Sequence, residues 1–194
     1  VRVDAVFSTN TVPEGFGGVE TTGKATASVN VISQLGFVSR GLHRSGTLPN
    51  TGPLPPRVNE ETTYTVSWSL TSSANDMEGV SVRASLPANV RWKNVTSPAG
   101  EIVSYDPDTQ EVVWDAGFLI AGTGYTRLAR EVSFQVGIMP GVSDVGRTPT
   151  LVSEAIAAGR DTFTGFHIEQ KSTAVTTRLQ GDPQMQNNEY EVVQ

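Results

Sequence analysis

The chain of 194 residues contains no cysteine, and its only histidines are His43 and His167. Without cysteine, neither a disulfide framework nor a thiolate metal site can form. A Ser-His-Asp site needs a histidine beside its nucleophile, and the sequence contains no Gly-x-Ser-x-Gly elbow. We therefore expect structural or solvated roles for both histidines, no catalytic residue and no cofactor other than calcium.

The sequence also lacks a surplus of basic residues and any long apolar run. Its 14 basic and 20 acidic residues give a net charge of −6, whereas nucleic acid requires a basic stripe and anionic lipid a polybasic patch. No apolar run approaches the roughly 18 residues needed to span a bilayer. We predict neither nucleic-acid binding nor membrane insertion. The chain begins at Val1 without a signal-like stretch, so we interpret it as a processed chain or a fragment of a longer protein.

What the sequence does contain is a repeated alternation of apolar and polar residues. Between Thr62 and Leu70, every second residue is apolar and the others are threonine or serine. Successive side chains of a strand point to opposite faces, so this pattern predicts a half-buried strand. The period returns in 80–86 and 128–138. We predict an all-β, immunoglobulin-like antiparallel β-sandwich, with strand-like runs at 62–70, 79–86, 89–95, 101–105, 111–116, 128–138, 150–157, 162–169 and 173–179. Its expected core consists of Tyr64, Val66, Trp68, Val80, Val82, Leu86, Trp92, Trp114, Phe134, Val136 and Ile138.

A Pro-rich segment at 45–57 interrupts this pattern. Four prolines within eight positions (49–56) remove backbone donors and favour an extended, semi-rigid chain. We predict that 45–57 is a linker between packed units, that 58–180 is the sandwich domain and that 181–194 is a polar C-terminal tail.

The segment 1–44 has two strand-like runs, Val1–Phe7 and Ala25–Ile32, joined by a Gly-rich stretch. The stretch Lys24-Ala-Thr-Ala-Ser-Val29 echoes Lys171-Ser-Thr-Ala-Val-Thr176. If the echo marks a repeat, 1–44 is the end of a preceding repeat. Otherwise 1–44 is an extension that lends strands to this domain or to a neighbour. Because unpaired strand edges invite pairing with another chain, we predict that 1–44 packs on a preceding repeat or completes a neighbouring subunit.

Several short motifs follow one another in a characteristic order along the sandwich domain. They are Thr63-Tyr64-Thr65-Val66, Asn75-Asp76, Val80-x-Val82, Leu86-Pro87-Ala88-x-Val90, Tyr105-Asp-Pro-Asp-Thr-Gln-Glu-Val112 with Trp114, Leu119-x-Ala121-Gly122 and Val132-x-Phe134-x-Val136. In this order and spacing, residues 53–180 resemble the conserved-repeat domain of unknown function found in tandem on bacterial and archaeal envelope proteins.

The resemblance implies an immunoglobulin-like sandwich in a secreted or wall-attached protein, and hence an extracellular location at a cell surface. It implies no catalytic residue, because the family has none assigned. The partners it implies are neighbouring repeats or copies of the same chain. The stretch 140–180 is longer than in the usual repeat, which leaves the strand number open.

Calcium is the one metal for which the sequence offers ligands. Asp106 and Asp108 have the i, i+2 spacing of calcium loops, and Asp76 and Asp161 also lie in turns. Carboxylates and carbonyls are the ligands that calcium prefers. Aspartate also favours turns because it bonds its own backbone. We predict a candidate calcium site at Asp106 and Asp108; the alternative is that both aspartates only stabilise the turn.

Other residues suggest a glycan or a covalent crosslink only weakly. The three tryptophans alternate with polar neighbours, which favours core packing over sugar binding. Asn94-Val-Thr96 is a glycosylation sequon, but in a bacterial protein it is most often a coincidence. A Lys–Asn crosslink would need a buried lysine, whereas Lys24 and Lys171 lie at strand beginnings.

Three functions remain open from the sequence. The first is a non-catalytic structural module of an extracellular surface protein, serving as a spacer or an assembly unit. The second is a subunit of an extracellular filament or surface layer that assembles through strand pairing between subunits. The third is a carbohydrate-binding or adhesin module, with a glycan as partner.

Overall fold

A computed structural model gives the fold and describes residues 2–9, 21–186 and 188–194. The chain divides into two units, the first ending at Ile32 and the second running from Ser33 to Gln194. The first unit contains a two-stranded antiparallel sheet made of β1 (Arg2–Thr9) and β2 (Thr21–Ser28). The stretch that joins β1 to β2 lies outside the described residues.

The second unit consists of strands that pair with antiparallel neighbours. They are β3 (Leu35–Leu42), β4 (Thr62–Ser72), β5 (Met77–Ser85), β6 (Val90–Ser97), β7 (Ile102–Asp106), β8 (Glu111–Leu119), β9 (Arg130–Ile138), β10 (Thr150–Val152), β11 (Ala155–Asp161), β12 (His167–Ser172) and β13 (Val175–Thr176). The described residues contain no helix with the length and apolarity needed to cross a bilayer.

Two sheets form an immunoglobulin-like sandwich, as the alternating pattern predicts. One sheet has the order β12-β11-β5-β8-β7 and the other the order β3-β4-β9-β6, while β10 and β13 form a small third sheet. All described strand pairs are antiparallel. The inner faces of both large sheets supply the core, which includes Trp68 of β4, Val82 of β5, Trp114 of β8 and Phe134 of β9.

The predicted core is confirmed almost residue for residue. Of the eleven residues named above, all but Trp92 are buried. Trp92 is half-buried, because β6 is an edge strand, and its ring stacks on Tyr105 with centroids 5.7 Å apart. The tryptophan therefore covers the side of the sandwich and still packs against Phe134, at 5.3 Å.

The structure corrects the predicted boundary of the N-terminal segment. Residues 35–42 form β3, which pairs with β4 over eight residues, from Leu35 opposite Ser72 to Leu42 opposite Thr65. The division between units therefore lies after Ile32 and not after residue 44. The alternation in β3 is weak, because its inward row continues from Leu35 and Phe37 into Ser39 and a glycine, so the hydrophobic pattern does not single it out as a core strand.

The Pro-rich segment 45–57 is extended, but it does not link two packed units. It connects β3 to β4 within one sheet and crosses the outer face of that sheet. The Nε2 of Gln135 donates to the Pro49 carbonyl at 2.7 Å, and the Nδ2 of Asn50 donates to the Thr65 hydroxyl at 3.0 Å. Thr63 donates its N–H to the Thr51 carbonyl at 2.8 Å. The polar residues on this outer face are consequently buried, and the linker prediction is wrong.

The C-terminal segment 181–194 is also part of the second unit and is not a free tail. Val193 donates its N–H to the Pro56 carbonyl at 2.9 Å and accepts from the N–H of Val58 at 3.0 Å. Val192 is buried and donates to the Arg147 carbonyl. These bonds fix the end of the chain against the Pro-rich segment, which explains how a polar sequence becomes ordered.

Candidate functional site

The hairpin of β1 and β2 has one apolar face and one polar face. Its register pairs Val3 with Ala27, Ala5 with Ala25 and Phe7 with Gly23, and all six residues lie on one face. Val3 and Phe7 remain 61% and 64% exposed. An isolated two-stranded hairpin is only marginally stable in water. The apolar face of the hairpin is thus largely exposed in the described part of the chain.

The opposite face of the hairpin is polar except at one position. Asp4 accepts hydrogen bonds from the Nε of Arg2 at 3.0 Å and from the hydroxyl of Thr26 at 2.7 Å. Lys24 lies on the same face and is exposed. Val6 also lies there, opposite Lys24, and it is 62% exposed. Val6 is the single apolar residue in this otherwise polar row of the hairpin.

A groove of about 500 Å³ runs beside the edge strand β3 in the second unit. One wall consists of Ser39, Arg40 and Gly41, and the other includes 173–176. Successive side chains of a strand point to opposite faces, so a groove that touches three consecutive residues follows the strand's backbone edge. β3 ends its sheet, and no described strand pairs with its outer side. The edge thus presents backbone donors and acceptors to the groove.

The charges around this groove are basic. Arg40 and Arg178 are the charged residues among its described lining residues. Within the described part of the chain, Arg40 has no ion-pair partner, and its aliphatic stem packs against Gly181. Arg178 lies over the ring of Tyr190, 5.2 Å from the centroid. Neither guanidinium is ion-paired among the described residues, and that of Arg40 is the one carried by β3 itself.

Exposed apolar side chains also collect at one end of the sandwich. The turn at 73–76 connects two loops there, because the Asp76 carboxylate accepts from the N–H of Ala121 and its carbonyl accepts from the N–H of Thr162. These loops expose large apolar residues, namely Tyr125, Leu128, Phe163 and Phe166. Sets of this kind commonly mark contact surfaces on soluble proteins.

Asp161, considered above as a calcium ligand in a turn, instead fixes the start of the second unit. It is fully buried. Its Oδ2 accepts from the Ser33 N–H at 2.7 Å and from the Asn75 Nδ2 at 2.8 Å. Its Oδ1 accepts from the N–H groups of Phe163 and Thr164 at 2.9 and 2.8 Å. The carboxylate thereby ties Ser33, two residues before β3, to two turns of the sandwich.

Acid should weaken the second unit through this carboxylate. Burial opposes ionisation of Asp161, but the four hydrogen bonds outweigh burial and lower its pKa to about 2 from an ordinary value of 3.8. A lowered folded-state pKa adds stability that is present above about pH 4 and is lost as the pH falls toward about 2. We expect Asp161→Asn to flatten the pH dependence of the free energy of unfolding in this window, measured by urea denaturation. The matched control Asp108→Asn, at an exposed carboxylate, should keep the wild-type slope; equal slopes in all three proteins would contradict the assignment.

A second buried carboxylate, Asp182, holds the turn after β3. It accepts from the N–H groups of His43 and Arg44 at 2.7 and 2.8 Å, and from the Ser45 hydroxyl at 2.7 Å. Burial opposes ionisation of Asp182, yet these bonds and one from Gln184 keep its pKa well below the usual range. The sequence places Asp161 in a turn but gives no signal for the distant bonds of either carboxylate, whose partners lie up to 139 residues away.

The predicted calcium ligands lie at the turn between β7 and β8. The Asp106 Oδ1 accepts the N–H of Asp108 at 2.9 Å, which closes the turn. This bond to the Asp108 N–H, followed by bonds from Thr109, lowers the pKa of Asp106. No group of three or more His, Cys, Asp or Glu residues suited to a metal occurs in the described ranges. Calcium at Asp106 and Asp108 stays a prediction.

The two histidines belong to different segments of the second unit. His43 follows β3, and its ring contacts that of Tyr64 edge-on, with centroids 5.5 Å apart. Burial lowers the pKa of His43. His167 begins the edge strand β12 and is exposed. In the described part of the molecule, no hydroxyl or carboxylate side chain is hydrogen bonded to either imidazole.

The tryptophans, the lysines and the asparagine of the sequon are the remaining candidates from the sequence. Trp68 and Trp114 are fully buried. The lysines at 24, 93 and 171 are not buried; Lys171 pairs with Glu154 at 3.1 Å and Lys93 with Glu61 at 3.0 Å. Asn94 is exposed in the irregular part of β6, with φ of 55°. None of these side chains forms a groove for a sugar or a buried lysine for a crosslink.

The sequence matches no protein-family profile and no curated protein. Among solved structures it is similar to the major pilin subunit of Bacillus cereus, at 11% identity and a TM-score of 0.47, over 91% of this chain and 55% of that one. It is also similar to three N-terminal domains of the type V pili tip protein Mfa5 of Porphyromonas gingivalis. The identity is 12% and the TM-score 0.41, over 57% of this chain and 23% of that one. A third similar structure is a GH20 exo-β-N-acetylglucosaminidase of Vibrio harveyi. The identity is 8% and the TM-score 0.39, over 72% of this chain and 18% of that one. The chain spans about half the length of the pilin.

Proposed function

We propose that this chain is a non-catalytic structural module of an extracellular surface protein, serving as a spacer or an assembly unit. The observation that carries the proposal is the hairpin of β1 and β2, whose apolar face is exposed. A sandwich with a filled core gives a rigid body, and a separate amphipathic hairpin gives it a means of joining another body.

The arrangement of polar groups supports a mechanical role over a catalytic one. Asp161 and Asp182, the buried carboxylates, accept several backbone N–H bonds each and tie segments together. A general base needs a substrate proton within hydrogen-bond reach, whereas these oxygens are occupied by the fold itself. The histidines lack a nucleophile bonded to them in the described residues.

Assembly with copies of itself is the more specific form of this proposal. Among the described residues, the apolar face of the hairpin is exposed and the outer edge of β3 pairs with no strand. Strand addition joins two such features. A carbohydrate-binding module has less support, because Trp68 and Trp114 are inside the core and Trp92 stacks on Tyr105.

Sedimentation velocity over a range of concentrations tests the proposal. We expect the full chain to associate as its concentration rises, whereas residues 33–194, which form the compact second unit, stay monomeric. If both forms associated equally, the hairpin would not be the part of the chain that mediates association. Saturable binding to a glycan array, lost when Tyr125, Phe163 and Phe166 are changed to alanine, would favour the carbohydrate-binding function instead.

A further inference from the structure

We propose that β1 of one copy adds antiparallel to the free edge of β3 in a second copy, with Asp4 opposite Arg40. This inference rests on the assembly role proposed above and names its site and its partner. The acceptor is the edge of β3 along the groove, and the charged residue of this strand is Arg40. The donor is the outer edge of β1, which has no described strand beside it.

The pairing of Asp4 with Arg40 fixes a register that also matches the apolar residues. In that register Val6 lies opposite Val38, and these two residues are 62% and 43% exposed in the free chain. On the other face, Phe7 lies opposite Phe37, which packs against the core. The register thus gives Val6 an apolar partner, which it lacks in the hairpin.

Other registers fit less well. A shift of one residue turns the whole apolar face of β1 away from the core side of β3. A shift of two residues keeps the faces but separates Asp4 from Arg40 and Val6 from Val38. Only the register with Asp4 opposite Arg40 meets three conditions. It pairs the opposite charges, it pairs Val6 with Val38, and it places the apolar row of β1 on the core side of β3.

The topology of the chain assigns this pairing to a second copy. If β1 ran antiparallel to β3, then β2, which is antiparallel to β1, would run parallel to β3. A parallel connection needs a crossover of roughly a dozen or more residues. Only residues 29–34 separate β2 from β3. The connection is too short within one chain, so the donor strand comes from another.

The size of the hairpin argues against dimerisation through its apolar face alone. Eight residues at about 3.4 Å each and two strands about 5 Å apart make a face of roughly 27 by 10 Å. Two such faces would bury about 540 Å² in total, well below the roughly 1,200 Å² of a stable interface. Strand addition to β3 adds backbone hydrogen bonds and extends the sheet to the order β2-β1-β3-β4-β9-β6. Because each copy has one donor and one acceptor, this contact grows a filament unless the rotation closes a ring.

Disulfide trapping tests the register directly, since the chain has no cysteine of its own. Opposite residues of an antiparallel pair have Cα atoms about 4.5–5.5 Å apart, within the reach of a disulfide. Val6→Cys and Val38→Cys proteins, mixed in mild oxidant, should form a covalent heterodimer. Val3→Cys, on the other face of β1, is the matched control and should form far less of it with Val38→Cys.

A charge swap provides an independent measurement of the same contact. Arg40→Glu should weaken self-association by roughly tenfold, because it replaces an ion pair with a repulsion. Adding Asp4→Lys in the same chain should restore association. A loss caused by damage to β3 would not be restored in this way.

The outcomes separate this inference from the proposed assembly role. If the full chain associates but Val6→Cys crosslinks no better than Val3→Cys, the register is wrong and assembly uses another surface. If the double variant Val6→Cys/Val38→Cys closes a disulfide within one chain at low concentration, the pairing occurs in cis and the inference fails. If the full chain stays monomeric at all concentrations, the inference and the assembly role both fail, and the spacer role alone remains.

Discussion

Removing residues 1–32 should leave a folded protein, whereas removing residues 1–44 should unfold it. The shorter deletion ends where the second unit begins, at Ser33. The longer deletion also removes β3, which contributes the buried Leu35 and a ladder of eight residue pairs with β4. We expect far-ultraviolet circular dichroism to show a cooperative thermal transition for 33–194 and none for 45–194.

The stability lost with β3 is comparable to the whole stability of a domain. Loss of one buried leucine side chain costs about 2–5 kcal/mol, and each lost ladder bond costs about 1 kcal/mol net. Domains are stable by only about 5–15 kcal/mol. Deletion to residue 44 also removes two backbone N–H donors of the buried Asp182 carboxylate, those of His43 and Arg44.

A matched internal control accompanies the two truncations. Deleting 1–28 removes β1 and β2 and keeps 29–32, and this form should also show a cooperative thermal transition. If 45–194 unfolded with the same midpoint as 33–194, then β3 would be dispensable, and the boundary after residue 44 that the sequence suggests would be restored.

The sandwich itself is predictable from the sequence because its central strands alternate strictly. The predicted run 62–70 lies within β4, and 128–138 contains all of β9. The run 150–157 contains β10 and the start of β11. By contrast, 162–169 overlaps β12 only in part, because Phe163 and Phe166 of the turn between β11 and β12 are apolar but exposed.

The features missed by the sequence depend on distant partners. Thr65 and Gln135 are polar residues on an outward face, so alternation assigns them to solvent. They are buried because the Pro-rich segment covers them and hydrogen bonds to them. The same holds for Asp161, whose bond to Ser33 spans 128 residues. Local patterns carry no information about such pairs.

The sequence predicts the two strands of the hairpin in outline but not their pairing with each other. The run Val1–Phe7 covers most of β1. The second predicted run is Ala25–Ile32, whereas β2 covers Thr21–Ser28. Its apolar row consists of a glycine and two alanines, which are too small to produce a hydrophobic signal. The larger residues near Val29 and Ile32 therefore displaced the predicted strand toward its C-terminal side.

Trp68→Ala should destabilise the second unit by about 3–5 kcal/mol. The indole is fully buried and contacts Phe134 and Phe37 edge-on, with ring centroids 4.8 and 6.3 Å away. Its Nε1 donates to the Ser39 hydroxyl of β3 at 3.0 Å. Truncation to alanine would thus leave a cavity and loosen the contact between β3 and the core.

Two further variants separate packing from the hydrogen bond in this prediction. Ser39→Ala removes only the acceptor and should cost about 1–3 kcal/mol, because the buried N–H is then unsatisfied. Trp92→Ala, at the half-buried side of the sandwich, should cost less than Trp68→Ala, since part of its surface already contacts water. Urea denaturation gives the free energies of unfolding for comparison. A Trp68→Ala midpoint equal to that of the wild type would show that the inner row of β4 does not form the core, and the sandwich described here would be wrong at its centre.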